Sequence, residues 1–399
     1  VQLNNSLLDG TTDLILEKST IQVLDSIDFG NLQTIRGFTN QSIIVDEIIG
    51  SSEELLEVSS FSDVIISNSD ITITNPIGHA DAVLIDSFNN LGGTLTLVSV
   101  EDNSSNIILL NGIDTISIDA SEILVTNTIG LDEAKVINPF TNKTITVTQI
   151  SDTSENIEEL ESLKPQPNEV DGINITASDI FIVDNINFEK IDLISKFTNG
   201  DVTPSRLTDT HSNVSKSEVI INSDISNSVI EVTDTVDFSI ASEISTFTEE
   251  TVLINDIEET FLNISNINDI TNTDINSSTI KVLDSVDLSN VQSLDTFTSQ
   301  EITLTIISDI HENIQTIYDT HNSKFDFITS EVEITENINK KQVLKTLENI
   351  QSLGLTGDTN FTKVAEDFQN ILDIDTLSTQ SNGQISMTNA EVQIFDNVD

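Results

Sequence analysis

Eight times in 399 residues the chain repeats one short phrase, in which apolar residues stand four and two places before an acid or amide. The anchoring residues are Asp25, Asn75, Asn127, Asp184, Asp234, Asp284, Glu336 and Asp396, at intervals of 50, 52, 57, 50, 50, 52 and 60. Ahead of them stand Ile21 and Val23, Ile71 and Ile73, Ile123 and Val125, Ile180 and Ile182, Ile230 and Val232, Ile280 and Val282, Val332 and Ile334, and Val392 and Ile394. Every copy complies. A period of this length marks a repeat architecture, in which each unit buries its apolar face only against its neighbours.

A looser copy lies between the strong ones, anchored on Asp46, Asp102, Asp152, Asp209, Asp256, Asp309 and Asp358, so that the structural unit is half the main period, about 25 residues. A coil of that size has room for one strand, one short helix and two turns, but not for a core of its own. The strand is the stretch before each anchor, where Ile230 and Val232 share one face and Glu231 the other. After the anchor the apolar spacing changes to three, as in Phe29, Leu32, Ile35, Phe38 and Leu288, Val291, Leu294, Phe297, which predicts one to two helical turns with the closing Phe already in the return loop. Most of the 17 Phe residues fall at such periodic positions, and a core role is expected of them. The fold class this implies is a repeat solenoid, α/β or β-solenoid, of stacked coils that each hold a short parallel strand and a short helix. Regular coils are expected over residues 1–331, with a protruding loop near 164–168 around Lys164, Pro165, Gln166 and Pro167. A less regular continuation fills 332–399, more helical from Lys340 to Leu347 and from Phe361 to Ile371, and the whole reads as a segment of a longer chain.

The acids have a structural reading and a chemical one. Asp152, Thr153, Ser154, Glu155 and Asp309, Ile310, His311, Glu312 have the spacing of capping boxes. Asp25 with Asp28, Asp234 with Asp237, and Asp284 with Asp287 repeat that spacing, and acids in a first helical turn suit the helix dipole. The chemical reading is calcium: stacking sets anchor acids in a row, and a row of oxygen ligands can hold the ion between coils or between molecules. Asp25, Asp28, Asp234, Asp237, Asp284 and Asp287 are the candidate ligands.

Lys and Arg number 15 against 67 Asp and Glu, a formal charge of -52. That balance excludes nucleic acid and anionic membrane as partners, since both require the opposite sign. It also demands screening by salt or bound cations. No run of apolar residues is long enough to span a membrane. The chain has no Cys, which removes disulfides and thiolate metal sites. Asn-x-Ser/Thr sequences, at Asn40, Asn103 and Asn142 among others, are what chance gives in a chain this rich in Asn, Ser and Thr.

Motifs of catalysis are missing. There is no nucleophile elbow, phosphate loop or dinucleotide fingerprint, and His311-Glu312-Asn313-Ile314-Gln315 lacks the second His of a zinc-protease helix. His211 and His311 occupy the same place in their coils but lie two full repeats apart. A polysaccharide-degrading β-helix would offer Trp or Tyr platforms, whereas Trp is absent and Tyr318 stands alone. The expectation is therefore not an enzyme, with a β-helix depolymerase as the third reading.

The stretch from Ile150 to Leu163, Ile-Ser-Asp-Thr-Ser-Glu-Asn-Ile-Glu-Glu-Leu-Glu-Ser-Leu, resembles the acidic repeats of very large secreted bacterial surface proteins, the S-layer-like or repeats-in-toxin-type adhesins. The match recurs at Ile307-Ser308-Asp309 with Asn313-Ile314, although the Gly-rich calcium nonapeptide of those proteins is absent from this sequence. The resemblance implies an extracellular or cell-surface location and a role in adhesion, a surface layer or a filament. The leading expectation is a structural protein that assembles with itself into a surface array or filament; the alternative is the spacer stalk of a large adhesin.

Overall fold

The computed structural model describes residues 2–3, 16–89, 92–164, 172–321, 323–380, 385–387 and 390–394. The expected loop at 164–168 and the anchor Asp396 therefore lie outside the described residues, Lys164 excepted. The fold is α/β: strands alternate with helices along the chain, and the strands pair in parallel. Contacts divide the chain into two units, one built on residues 1–184, 189–204 and 220–224, the other on 185–188, 205–219 and 225–399.

In the first unit the strands Asp70–Ile77, Leu95–Asp102, Glu122–Ile129 and Thr144–Asp152 pair in sequence order, with Ile71 opposite Leu95 and Ile123 opposite Ile145. The second unit repeats the arrangement through Val229–Val236, Val252–Glu259, Thr279–Val286, Ile302–Asp309, Glu331–Ile338 and Thr359–Glu366. Its registers set Ile230 opposite Val252, Ile257 opposite Ile280, and Ile280 opposite Ile302. Most of these pairings join residues 22 to 24 apart, near the unit length read from the sequence, while Val332 opposite Thr359 and Ile150 opposite Ile180 span 27 and 30.

The strand does not end at the anchor as expected. It runs two residues further, and the anchor sits in a β-bulge: the register slips between Ile73 and Pro76, Val125 and Thr128, Val232 and Thr235, Val282 and Ser285, and Ile334 and Asn337. A bulge interrupts pairing and re-aims a side chain. Here the re-aimed residue is each time the acid or amide.

Helices of seven to nine residues follow most strands. In Phe238–Ile244, Asp237 accepts the Ile240 N–H at 2.8 Å and starts the helix, Ala241 and Ile244 share its buried face, and the Ser245 N–H closes back on the Ala241 carbonyl. One 50-residue repeat buries Ile230, Val232 and Val236, then Ala241 and Ile244, then Val252, Ile254 and Ile257, then Ile264 and Ile267, all at most 2 % exposed. Each buried Ile or Val among them contributes about 1.5 to 3 kcal/mol. The other sheet face carries cross-strand ion pairs, Arg206 with Glu231 at 2.6 Å and Lys281 with Glu258 at 2.8 Å.

The Phe residues correct the expectation of a core role. Phe38, Phe88, Phe140, Phe197, Phe247 and Phe297 are half-buried, because the helix stops one turn earlier and the next residue takes the inward place. That residue is Thr39, Asn89, Thr141, Thr198, Thr248 or Thr298, all at most 8 % exposed. In the last repeats the helix Lys340–Leu353 agrees with the expected helical character, but Phe361 lies in the strand Thr359–Glu366 and is 2 % exposed.

A polar column runs through this apolar interior. Ser278 donates to the Ile254 carbonyl, Thr298 donates at 2.6 Å to the carbonyl of Ser278, and Gln300 N–H donates to Thr298 Oγ1 at 3.0 Å. Ser178 to Val147 and Thr198 to Ser178 repeat the scheme in the first unit, both at 2.6 Å. The chain passes so close to this column that a Cβ at Gly200 would lie 2.3 Å from the Ser178 carbonyl oxygen.

Candidate functional site

A chemical feature that recurs through both units is the acid or amide at the bulge. Its carboxylate or amide oxygen accepts the first backbone N–H of the helix in the coil before it. Asn75 takes Ser52 N–H at 2.8 Å, Asn127 takes Ser104 at 2.7 Å, and Asp184 takes Ser154 at 2.7 Å. In the second unit Asp234 takes His211 at 2.7 Å, Asp284 takes Phe261 at 2.7 Å, and Glu336 takes His311 at 2.9 Å. Acids ending alternate strands do the same for the other set of helices: Asp102 to His79, Asp152 to Leu131, Asp209 to Phe188, Asp309 to Leu288 and Glu366 to Lys340, all between 2.8 and 3.0 Å. The unsatisfied donors of one helix are thus supplied by a residue some 21 to 30 positions later in most coils.

Helix C-termini are closed across coils as well. Asn272 Nδ2 donates to the carbonyls of Ser245 and Thr248, both at 2.9 Å, and Asn222 does so to Ser195 and Thr198 at 2.9 and 3.0 Å. Lys324 Nζ reaches the Asp295 carbonyl and its carboxylate.

Two expected details change. Neither Asp152 nor Asp309 is the N-cap of the helix that follows it: Thr153 caps the first, accepting from Asn156 N–H, while Ile310, which has no side-chain acceptor, precedes His311–His321 and gives its own N–H to Asp309. Asp152 stands before Thr153 and bridges two helices, Oδ1 taking Thr153 N–H and the Asn156 amide while Oδ2 takes Leu131 N–H. Asp256 and Asp358 are not the repeating acids of their coils either. Strand register puts Glu259 opposite Val282, as it puts Asp209 opposite Val232, and Glu366 serves Lys340 in the last.

The six candidate calcium ligands separate. Asp28, Asp237 and Asp287 each cap the helix that follows them, at 2.8 Å from Asn31, Ile240 and Asn290 N–H. Asp234 and Asp284 serve the helix of the coil before, and Asp25 is exposed in the bend after Ile21–Val23. Asp234 with Asp237 and Asp284 with Asp287 are therefore each directed to two different helices, and among the described residues no three His, Asp or Glu side chains gather as a metal-binding group.

The electrostatics of the ladder follow from this geometry. Partial burial works to raise Asp152, but the Leu131 and Thr153 N–H groups and the Asn156 amide hold it below the usual carboxylate range. Asp287 behaves alike, its burial outweighed by bonds from Asn290 N–H and Ser289. Each capped carboxylate faces the positive end of a helix, worth about 0.3 to 1 kcal/mol, which offsets part of the repulsion a charge of -52 imposes. His211 Nδ1 adds a contact to Asp234 Oδ2 at 2.6 Å. Burial depresses the His311 imidazole against the pull of Glu336, and its Nε2 has no hydrogen-bond partner among the described residues.

The serine column had a signal in the sequence that the anchor reading passed over. Ser19, Ser69, Ser121, Ser178, Ser228, Ser278 and Ser330 stand six residues before successive anchors. A cavity of about 580 Å3 lies beside Asn138, Phe140, Ser162 and Lys164, whose ammonium is already bonded to the Phe197 carbonyl and paired with Glu161. No helix among the described residues is long and apolar enough to cross a membrane. Compared with protein-family models, curated proteins and solved structures, the chain has no match.

Proposed function

We propose that the chain is a structural repeat segment: a solenoid of stacked strand–helix coils that works outside the cell as a building element of a surface array or filament. The observation that carries this reading is the completion of one helix after another by the coil that follows, as Asp234 completes the helix His211–Glu218 and Asp284 completes Phe261–Asn268. A coil alone lacks its cap, its strand partners and half of its core, so structure is gained by adding coils. Strand ladders of this kind offer another copy an edge rather than a cleft. Exposed acids beyond those that cap helices give calcium a place in joining copies.

Negative-stain electron microscopy in millimolar calcium and again in chelator tests the reading. Ordered filaments or sheets support it, and their loss in chelator assigns the joining to calcium. Isolated particles in both conditions overturn self-assembly and leave the adhesin spacer.

A further inference from the structure

In the first unit, helices follow one another in contact from Ser52–Ser59 through His79–Asp86, Ser104–Asn111 and Leu131–Ile137 to Ser154–Ser162. The sixth residue of each faces solvent, and along the row these residues are Glu57, Leu84, Leu109, Val136 and Glu159. Leu84, Leu109 and Val136 are 46, 55 and 47 % exposed, and Val83 and Ile108 beside them 37 % each. In the second unit the same position holds Lys216, Glu243, Asn266 and Ser293, so apolar character is no requirement of the coil. Single exposed apolar residues are ordinary; a contiguous stripe over three helices marks a contact surface.

The charges around the stripe say what fits it. Ser104–Asn111 carries none. Glu57, Asp81, Asp132 and Glu155 are exposed at the rim, and Lys135, the one Lys or Arg on the three apolar helices, is paired with Glu159 at 2.6 Å. A second copy laid on this face would set the same acids against each other. We propose that the stripe docks a basic amphipathic helix of a partner protein, its apolar face on Leu84, Leu109 and Val136 and its Lys or Arg residues over the rim acids. The surface works in this way whether or not the coils polymerise.

The test is titration of the full chain with a fluorescent peptide carrying Leu at helical i, i+3, i+4, i+7 spacing and Lys elsewhere, beside a scrambled peptide of identical composition. The patterned peptide is expected to bind one per chain, at least about tenfold tighter than the scrambled one. Leu84→Ser with Leu109→Ser should remove that preference while the thermal melt stays in place. Glu57→Gln with Asp132→Asn should weaken binding and flatten its salt dependence. Equal binding of the two peptides, or a preference that survives the serine variants, overturns the proposal. So does sedimentation of the peptide-free chain as a dimer that the serine variants dissociate, which would assign the stripe to a second copy.

Discussion

Asp152 lies 21 residues after Leu131 and accepts its backbone N–H at 2.8 Å, while its other carboxylate oxygen accepts the N–H of Thr153 at 2.8 Å. One side chain therefore ties the start of its own helix to the start of the helix in the coil before. Replacing it tests how much this link is worth. Asp152→Ala should cost about 1 to 2 kcal/mol in chemical denaturation, the upper range for a cap because two helices lose an acceptor, and Asp152→Asn should cost less than half of that. An alanine variant as stable as wild type would show that the bond contributes nothing.

The same residue sets a pH dependence with a definite sign. Its folded pKa is depressed, so its stabilisation is present above the unfolded value, about 3.9, and is lost as pH falls through the folded value. Acidification also relieves the repulsion of the whole chain, so wild type alone does not isolate the effect. The gap in melting temperature between wild type and Asp152→Asn should be constant near neutrality and close below about pH 4. A gap that widens on acidification would contradict the assignment.

Ser278 is buried at 0 % exposure and donates to the Ile254 carbonyl of the preceding coil. Ser278→Ala leaves that acceptor without this donor and should cost about 1 to 3 kcal/mol, measured by urea unfolding. Ser299, exposed in the return loop, where its hydroxyl donates to the Asn276 carbonyl at 2.9 Å and water can replace it, is the control, and its alanine variant should stay within about 0.5 kcal/mol. Equal effects at the two positions would remove the column from the account.

How far the sequence reveals this molecule depends on the range of each interaction. Ile230 and Val232 show their inward face through alternation, and Asp237 shows its cap through a local three-residue offset to Ile240. Asp234 has a local offset too, yet its partner is His211, 23 residues back, because the bulge between Val232 and Thr235 turns it away from its own helix. Pairing register is invisible to spacing along the chain, and so is the difference between Asp256 and Glu259. Phe297 follows Leu294 by three and lies in the return loop as its spacing predicts, but there Thr298 and not Phe297 takes the buried place, a choice that spacing does not reveal.

Strand facing is testable with charge. Val232 is fully buried whereas Leu283, on the opposite face of the matching strand, is 43 % exposed. Val232→Asp should abolish cooperative thermal unfolding, since an uncompensated carboxylate would enter the core. Leu283→Asp should change stability by about 0.5 kcal/mol at most. Similar behaviour of the two variants would mean the inward face is misassigned.

The central claim is that the acid of one coil closes the helix of the coil before it. Amide hydrogen exchange in Asp284→Ala, read residue by residue by NMR, tests it most directly. Protection is expected to fall first at Phe261, 23 residues upstream, while Leu288–Leu294 keeps its protection through Asp287. Loss confined to Leu288–Leu294, with Phe261 unchanged, would contradict it and return Asp284 to a local cap.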